Sequence, residues 1–215
     1  GQHFDTNMSN IFFEQFQMHE PLYNLNINNK PQGEMTGLML DKIEKILMKE
    51  KPQGVLVYGD TNSTLAGSLA AVKLNIPIFH VEAGLRSYNR SMPEEINRIL
   101  TDHISSLLFC PTENAVNILK KEGIKNGVIY SGDVMYDLFI NHSSNISVHS
   151  NPFVLATIHR PSNTDNPKVL NEIIEALEEI NSKIKVILPL HPRTKKKIKE
   201  LDLSTSFTII PPLGY

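Results

Sequence analysis

Short apolar runs alternate with longer segments of helical spacing along most of the sequence. Residues 36–50 carry apolar side chains at the three- and four-residue spacing of an amphipathic helix, and the apolar run 55–58 follows as a short strand. The alternation continues with predicted helices at 63–74, 93–107 and 112–122, and with predicted strands at 77–81, 107–110 and 127–130. Strands separated by helices of about 10 to 15 residues are typical of βαβ units and therefore of a parallel sheet.

A polar segment at 141–151, rich in Ser and Asn, interrupts this series. We interpret residues 143–151 as a linker between an N-terminal domain at 1–142 and a partial C-terminal domain at 152–215. Beyond the linker we predict strands at 153–158, 184–190 and 207–210, with helices at 167–180 and 194–201. Parallel α/β sheets bind ligands at the carboxyl ends of their strands, so functional residues are expected there in both domains.

Composition excludes several classes of partner. The 215 residues carry 21 basic and 23 acidic side chains, a formal net charge of -2, so neither a nucleic-acid groove nor a basic membrane-binding patch is indicated. No apolar run approaches the ~20 residues that cross a bilayer, and the polar first residues are unlike a signal peptide. The single cysteine, Cys110, lies in an apolar run and is predicted to be buried in a strand, and the lack of a second cysteine excludes an intrachain disulfide, which fits a reducing cytoplasm.

Polar residues follow the first two predicted strands. Asp60 comes directly after the strand 55–58, where it could either cap the next helix or belong to a site. His80 and Glu82 lie two residues apart and so project to the same side of their strand, which is costly unless they are used or paired. Arg86 follows in a glycine-containing loop and suits either a bound anion or a surface ion pair.

Glu94 and Arg98 lie in the first turns of the predicted helix 93–107. We place them opposite an apolar face formed by Ile96, Ile99, Leu100, Ile104 and Leu107. Taken alone, this spacing favours an ion pair between residues four apart, with acidic residues at the helix N-terminus.

Two strands of the second series end in a histidine followed closely by an arginine. His159 and Arg160 follow one strand, and His191 and Arg193 follow the next. Because both pairs fall where an α/β sheet presents its ligand-binding edge, they indicate an anionic ligand. The sequence contains no P-loop, no GxGxxG and no CxxC or HExxH motif.

Taken in order, these segments resemble the non-hydrolysing UDP-N-acetylglucosamine 2-epimerases. HVEAGLRS at 80–87 followed by PEEINR at 93–98 is the most specific part of the resemblance. The other matching strings are GQH at 1–3, YGDT at 58–61, LTD at 100–102, CPTE at 110–113, SGDV at 131–134, TIHR at 157–160 and PPLGY at 211–215. The resemblance implies a GT-B-like fold, in which two Rossmann-like domains with parallel sheets enclose an active site in the cleft between them.

The resemblance also implies a reaction, the reversible inversion of C2 in a UDP-2-acetamido sugar through loss and re-addition of UDP at C1. On this basis Asp60, Glu82 and Glu94 resemble the family's catalytic carboxylates, and His159 resembles its diphosphate-facing histidine. The further substrate-binding candidates are His3, Arg86, Arg160, His191 and Arg193. No cofactor or metal ion is expected. The resemblance also implies a homodimer in the cytoplasm that takes part in the synthesis of cell-surface polysaccharide.

Departures from the family pattern leave other possibilities open. The family's Gly-Thr-Arg-Pro loop and its Ser-Gly-Gly segment are expected to lie beyond the two ends, so this chain should have little activity alone. The segments 131–137 and 159–163 resemble a branch that includes epimerases of UDP-2,3-diacetamido-glucuronate. Alternatives are a GT-B glycosyltransferase, a non-enzymatic scaffold, and a metal-dependent hydrolase that uses Asp60, His80, Glu82, His159 and His191.

Overall fold

The computed structural model describes residues 9–143 and 151–213, which form two compact units. One unit contains residues 21–143, and the other contains residues 9–20 and 151–213. Each unit holds one sheet, and every strand pairing within the described residues is parallel. The α/β class and the two Rossmann-like parallel sheets are therefore confirmed. Residues 144–150 of the predicted linker lie outside the described residues.

The sheet of the first unit has four strands in chain order. They are β1 (Val55–Tyr58), β2 (Ile78–Val81), β3 (Leu107–Cys110) and β4 (Val128–Tyr130). In the second unit β5 (Val154–Leu155), β6 (Val186–Pro189) and β7 (Thr208–Ile210) form a three-stranded sheet. Because each strand runs parallel to its neighbour, all four carboxyl ends of the first sheet lie along one edge, and so do the three of the second.

Helices connect the strands at almost every step. They are α1 (Asn10–Gln15), α2 (Gln32–Glu50), α3 (Asn62–Lys73), α4 (Pro93–Ile104), α5 (Glu113–Lys121), α6 (Val134–Ser143), α7 (Pro161–Thr164), α8 (Pro167–Asn181) and α9 (Pro192–Glu200). The predicted helices all occur, with ends shifted by a few residues, and Pro93 lies in the first turn of α4 as predicted. Helices α1, α6 and α7 were not predicted, and β5 covers only two residues of the predicted strand 153–158.

Small side chains let α3 pack closely in the first unit. Ala66, Ala70 and Ala71 are fully buried. Ala70 and Ala71 pack in an apolar cluster with Val57 of β1 and Ile78 of β2, and Ala66 packs in another with Met39 of α2. Helix α2 ends at Glu50, and the next residue, Lys51, has a left-handed backbone and precedes a proline that could not continue the helix. The position of α3 fixes the loop that enters it from β1, and this loop carries Asp60.

The second unit has an apolar core of its own. Leu170 of α8 and Val186 and Leu188 of β6 are fully buried in it, together with Phe207 just before β7. None of the helices in the described residues is long and apolar enough to cross a membrane.

Candidate active site

The carboxyl ends of β1 and β2 bring the loops of Asp60 and Glu82 together. Gly59 has a φ of 63°, and a Cβ atom added there would lie 3.4 Å from Glu82 Oε2, so the Glu82 carboxylate lies against Gly59. Glu82 itself has a φ of 72°, a left-handed conformation that is uncommon for a residue with a side chain and is often found at functional sites. A pocket of about 200 Å³ opens here, and Gly59, Glu82, Pro111 and Asp133 are among its lining residues.

The Asp60 carboxylate is held by α4. Arg98 Nη2 donates a hydrogen bond to Asp60 Oδ2, and Asn97 Nδ2 donates to the Asp60 carbonyl oxygen at 3.0 Å. The N-cap of α3 is Thr61, whose side chain accepts a hydrogen bond from the backbone N–H of Thr64. The alternative interpretation of Asp60 as a simple helix cap is therefore wrong, because its side chain turns to Arg98.

The surroundings of Glu82 raise its pKa in three ways. Burial by the surrounding residues, followed by the negative charges of Asp60 and Asp133, raises the pKa of Glu82 above its ordinary value. The positive charges of Arg98 and His80 act in the opposite direction and do not cancel this rise. A carboxylate with a raised pKa binds a proton more strongly than an ordinary glutamate does, which is a property of catalytic acids and bases.

Glu94 and its neighbour Glu95 have opposite environments. Glu95 is 1% exposed and accepts hydrogen bonds from Ser87 N, Ser87 Oγ and Tyr88 N at 2.8–2.9 Å. Arg98 also pairs with Glu95, at 3.2 Å. The predicted ion pair between Glu94 and Arg98 is therefore wrong. Glu94 is exposed in the first turn of α4, and it has no hydrogen-bond or ion-pair partner in residues 9–143 or 151–213.

The buried face of α4 is polar. Its buried residues are Glu95, Asn97, Thr101 and Asp102, whereas Leu100, which belongs to the predicted apolar face, is 44% exposed. The predicted apolar face is thus only partly turned inward, because Ile104 packs against the core cluster of Val57 and Ile78 whereas Leu100 is exposed. Glu95, Asn97 and Asp102 turn inward because they bind residues in or beside the loops after β1 and β2, so that α4 supports both loops, whereas Thr101 Oγ1 has no hydrogen-bond partner among the described residues.

Asp102 of α4 joins His80 and Arg86 in a buried network. Asp102 Oδ1 lies 2.7 Å from His80 Nδ1, and Asp102 Oδ2 accepts a hydrogen bond from Arg86 Nη1 at 2.6 Å. Arg86 also donates to both carboxylate oxygens of Glu122, at 2.8 and 2.7 Å, and its side chain is 1% exposed. The ion pair of Arg86 is therefore buried and is not a surface pair. Its guanidinium nitrogens are engaged within the unit, which favours a supporting role over contact with substrate.

The second unit brings its two predicted histidines together. The rings of His159 and His191 have centroids 5.9 Å apart, at the carboxyl ends of β5 and β6. His191 Nδ1 accepts a hydrogen bond from Arg193 N, so Nε2 carries the ring proton when this imidazole is neutral. The Arg193 side chain turns to Asp165, with its Nη2 at 2.6 Å from the carboxylate. Arg160 is exposed, and His3 lies outside the described residues.

A family model described as UDP-N-acetylglucosamine 2-epimerase matches residues 1–215. The chain belongs to the UDP-N-acetylglucosamine 2-epimerase family. It is 54% identical over 224 aligned residues to the UDP-2,3-diacetamido-2,3-dideoxy-D-glucuronate 2-epimerase of Pseudomonas aeruginosa, covering 100% of this chain and 63% of that protein. It is 46% identical to the UDP-N-acetylglucosamine 2-epimerase of Methanocaldococcus jannaschii, covering 100% of this chain and 64% of the relative.

Solved structures of family members match as well. A crystal structure of the M. jannaschii UDP-GlcNAc 2-epimerase in complex with UDP-GlcNAc and UDP aligns with a TM-score of 0.93 at 45% identity, over 100% of this chain and 65% of that one. The Neisseria meningitidis enzyme bound to UDP-GlcNAc aligns with a TM-score of 0.80 at 30% identity, over 98% of this chain and 63% of that one. The chain thus spans slightly less than two thirds of the length of these epimerases.

The structure adds candidate site residues that the sequence did not indicate. Arg98 holds the Asp60 carboxylate, Glu95 holds the turn at 87–88, and Asp133 lines the pocket beside Glu82. PEEINR is part of the family resemblance, but its spacing does not indicate that Arg98 binds Asp60, 38 residues earlier in the chain. The assignment of His159 to a diphosphate site stays a prediction, as does the shared cleft.

Proposed function

We propose that a protein containing this chain at the full length of its relatives catalyses reversible inversion at C2 of a UDP-2-acetamido sugar. The observation that carries this proposal is that Asp60 and Glu82 follow two adjacent parallel strands, with the Glu82 carboxylate against Gly59 and beside a pocket, near enough to Asp60 for its charge to raise the pKa of Glu82. Glu94 is exposed, without a partner among the described residues, at the start of the helix that supports both loops. Such a set of carboxylates suits proton transfer to and from a carbon atom.

The proposed chemistry is an elimination followed by an addition. One carboxylate removes the C2 proton, and the electron pair of the C2–H bond forms the C1=C2 double bond of a glycal. The C1–O bond breaks at the same time, and its electron pair leaves with UDP. UDP oxygen then attacks C1, and a proton returns to the opposite face of C2. The C2–H bond has no adjacent carbonyl and is very weakly acidic, so a base with a raised proton affinity is an advantage. We assign that role to Glu82, while Asp60, paired with Arg98, acts as the second carboxylate.

Stabilisation of the leaving diphosphate is assigned to the second unit. His159 is exposed beside His191 and is the donor assigned to the diphosphate. Hydrogen-bond donors placed where negative charge develops lower the barrier of such a step. Arg160 is the candidate for an additional contact with the diphosphate, and Arg193 would reach it only by leaving Asp165.

Two sugars are candidates for the substrate. UDP-N-acetylglucosamine is favoured by the family model and by the M. jannaschii relative. UDP-2,3-diacetamido-glucuronate is favoured by the identity of 54% to the P. aeruginosa enzyme.

We further propose that the protein acts in the cytoplasm as a homodimer, in the synthesis of cell-surface polysaccharide. Sedimentation equilibrium of the full-length protein tests the dimer, and a single species with the mass of one chain would contradict it.

Deuterium incorporation tests the mechanism directly. In D₂O the full-length protein should return sugar nucleotide that carries deuterium at C2, because the C2–H bond breaks and the carboxylate exchanges with solvent. An ¹⁸O label in the bridging C1–O position should scramble into non-bridging positions of the diphosphate. Both candidate sugars are compared in this assay by NMR and mass spectrometry.

The same assay separates the alternative functions. A glycosyltransferase could break C1–O but has no reason to label C2. Epimerisation without deuterium at C2 from either sugar would contradict the elimination mechanism and would favour transient oxidation. Loss of activity with EDTA and its rescue by Zn²⁺ would support the metal-dependent hydrolase, whereas we expect activity to persist with EDTA.

The pH dependence gives a separate test of Glu82 as the base. A base must be deprotonated, so kcat should fall as pH decreases through the pKa of Glu82. The Asp133→Asn change removes one negative charge that raises this pKa, so the acidic limb of the kcat profile should move to lower pH. Asp133 Oδ1 accepts a hydrogen bond from Met135 N, and asparagine can keep this contact. An acidic limb that does not move, or moves upward, would contradict the assignment.

A further inference from the structure

His80 connects the two loops that carry the candidate catalytic carboxylates. The side chain is fully buried in β2, two residues before Glu82. Its Nε2 lies 2.8 Å from the carbonyl oxygen of Gly59, which immediately precedes Asp60. Its Nδ1 lies 2.7 Å from Asp102 Oδ1 on α4. One imidazole thus ties the end of β1, the end of β2 and the supporting helix to each other.

The partners of His80 determine its protonation state. A backbone carbonyl can only accept a hydrogen bond, so His80 Nε2 must carry a proton. Nδ1 faces Asp102, whose other oxygen accepts hydrogen bonds from Arg86 Nη1 at 2.6 Å and from Gly84 N at 3.1 Å. A carboxylate held by a guanidinium and a backbone N–H is ionised, so it accepts from Nδ1 as well. Both ring nitrogens of His80 are therefore donors, and the ring is an imidazolium.

Asp102 also controls the backbone beside Glu82. Its bond to Gly84 N fixes the second residue after Glu82, and the Ala83 N–H donates to the Phe109 carbonyl oxygen at 3.0 Å. These two bonds hold the chain on the C-terminal side of Glu82, and His80 holds it on the other side. The left-handed conformation of Glu82 is thus maintained by contacts on both sides.

We infer that Asp102 is a positioning residue, which keeps His80 as a buried imidazolium and through it holds the Asp60 and Glu82 loops in one arrangement. The effect of Asp102 on catalysis rests on the proposed function. The charge of His80 and the arrangement of the two loops do not depend on that function. Neither His80 nor Asp102 contacts the pocket that Glu82 lines, so both act through the residues that they hold.

The Asp102→Asn change isolates the charge of this network from its shape. The asparagine Oδ1 can still accept from Gly84 and Arg86, and its Nδ2 can donate to Nδ1 of a neutral His80. The four hydrogen bonds are kept, so the fold should persist, but the imidazolium is lost. The groups that face Glu82 are Asp60, Asp133, Arg98 and His80, and the charge of His80 lowers the pKa of Glu82. The variant should therefore raise that pKa further, opposite to the expected effect of Asp133→Asn.

Three measurements on the full-length protein test the inference. In ¹⁵N NMR at neutral pH, the buried His80 of the wild type should show two protonated ring nitrogens. In Asp102→Asn it should show only one. The ¹³C titration of the Glu82 carboxyl should move upward in the variant. With the proposed substrate, kcat should fall about tenfold or more while KM changes little, because small displacements of a catalytic group are costly.

Glu122→Gln is the matched control, because Glu122 binds the far side of Arg86 and does not touch His80. It should leave both protons of His80 and the Glu82 titration unchanged. A neutral His80 in the wild type would overturn the inference, and that measurement needs no variant. A Glu82 titration that does not move in a folded Asp102→Asn protein would also overturn it. Absence of deuterium exchange at C2 in the wild type would instead overturn the proposed function, while the two NMR measurements would still decide the inference.

Discussion

Replacing Glu82 by glutamine should lower kcat by about 10²-fold or more, and Asp60→Asn should have an effect of similar size. Each change keeps the shape of the side chain but removes its ability to take or return a proton at C2. Glutamine at position 82 can keep the left-handed backbone, because this conformation is held by the bonds of Gly84 and Ala83 and not by the carboxylate. The measurement is single-turnover epimerisation by the full-length protein, with circular dichroism to verify the fold.

Glu113→Gln provides the matched control for these changes. Glu113 is an exposed carboxylate in the first turn of α5, after the neighbouring strand β3, and the change is chemically the same. We expect its kcat to stay close to that of the wild type. A folded Glu82→Gln protein with an undiminished kcat would remove Glu82 from the mechanism. An Asp60→Asn protein that loses its fold, but retains its rate in the fraction that folds, would make Asp60 a structural residue paired with Arg98.

Replacing Gly84 by alanine should lower the free energy of unfolding by about 2–5 kcal/mol, the sum of a backbone cost and a steric cost. Gly84 has a φ of 79°, where a side chain is disfavoured, and its added Cβ would lie 2.5 Å from the Ala115 carbonyl oxygen. This carbonyl is part of the backbone of α5, so it cannot move aside as a side chain could. The chain must therefore shift at the residue whose N–H binds Asp102, which should also impair Glu82.

Gly123→Ala separates the two costs. Gly123 has a φ of 87°, but nothing lies within 4 Å of an added Cβ, so only the backbone cost of about 1–2 kcal/mol applies. Urea unfolding of both variants, monitored by circular dichroism, measures the difference. Equal losses of stability would show that α5 gives way without cost and would contradict the close contact at Gly84.

The parallel sheets could be predicted because their strands are apolar runs buried among helices. Strands such as β2 and β3 are short, apolar and bounded by polar loops, and the 3.6-residue pattern between them indicates helices whatever the partner elements are. The position of the site followed from the same alternation, since polar residues after parallel strands collect at one edge of the sheet. Asp60 and Glu82 were placed correctly at that edge by this argument.

The orientation of α4 could not be predicted in the same way. Periodicity identifies an apolar face and assumes that it is the buried one, whereas the most deeply buried side chains of α4 are polar and Leu100 of the predicted face is exposed. Their burial depends on partners that are distant in sequence, such as the loop of Asp60, 37 residues before Asn97. The local pattern carries no information about these pairings. For the same reason it could not distinguish the buried Glu95 from the exposed Glu94.

The inward polar face of α4 limits how this region can change in evolution. Removing one member of a buried pair leaves its partner charged and unpaired, at a cost of about 3–5 kcal/mol, a large fraction of the stability of an ordinary domain. Substitutions that remove the hydrogen-bonding groups of His80 or of Asp102, unlike Asp102→Asn, should therefore be tolerated only when both residues change. A double-mutant cycle that replaces His80 and Asp102 by apolar residues should show strong coupling, and sequences that diverge from this one should replace both members or neither.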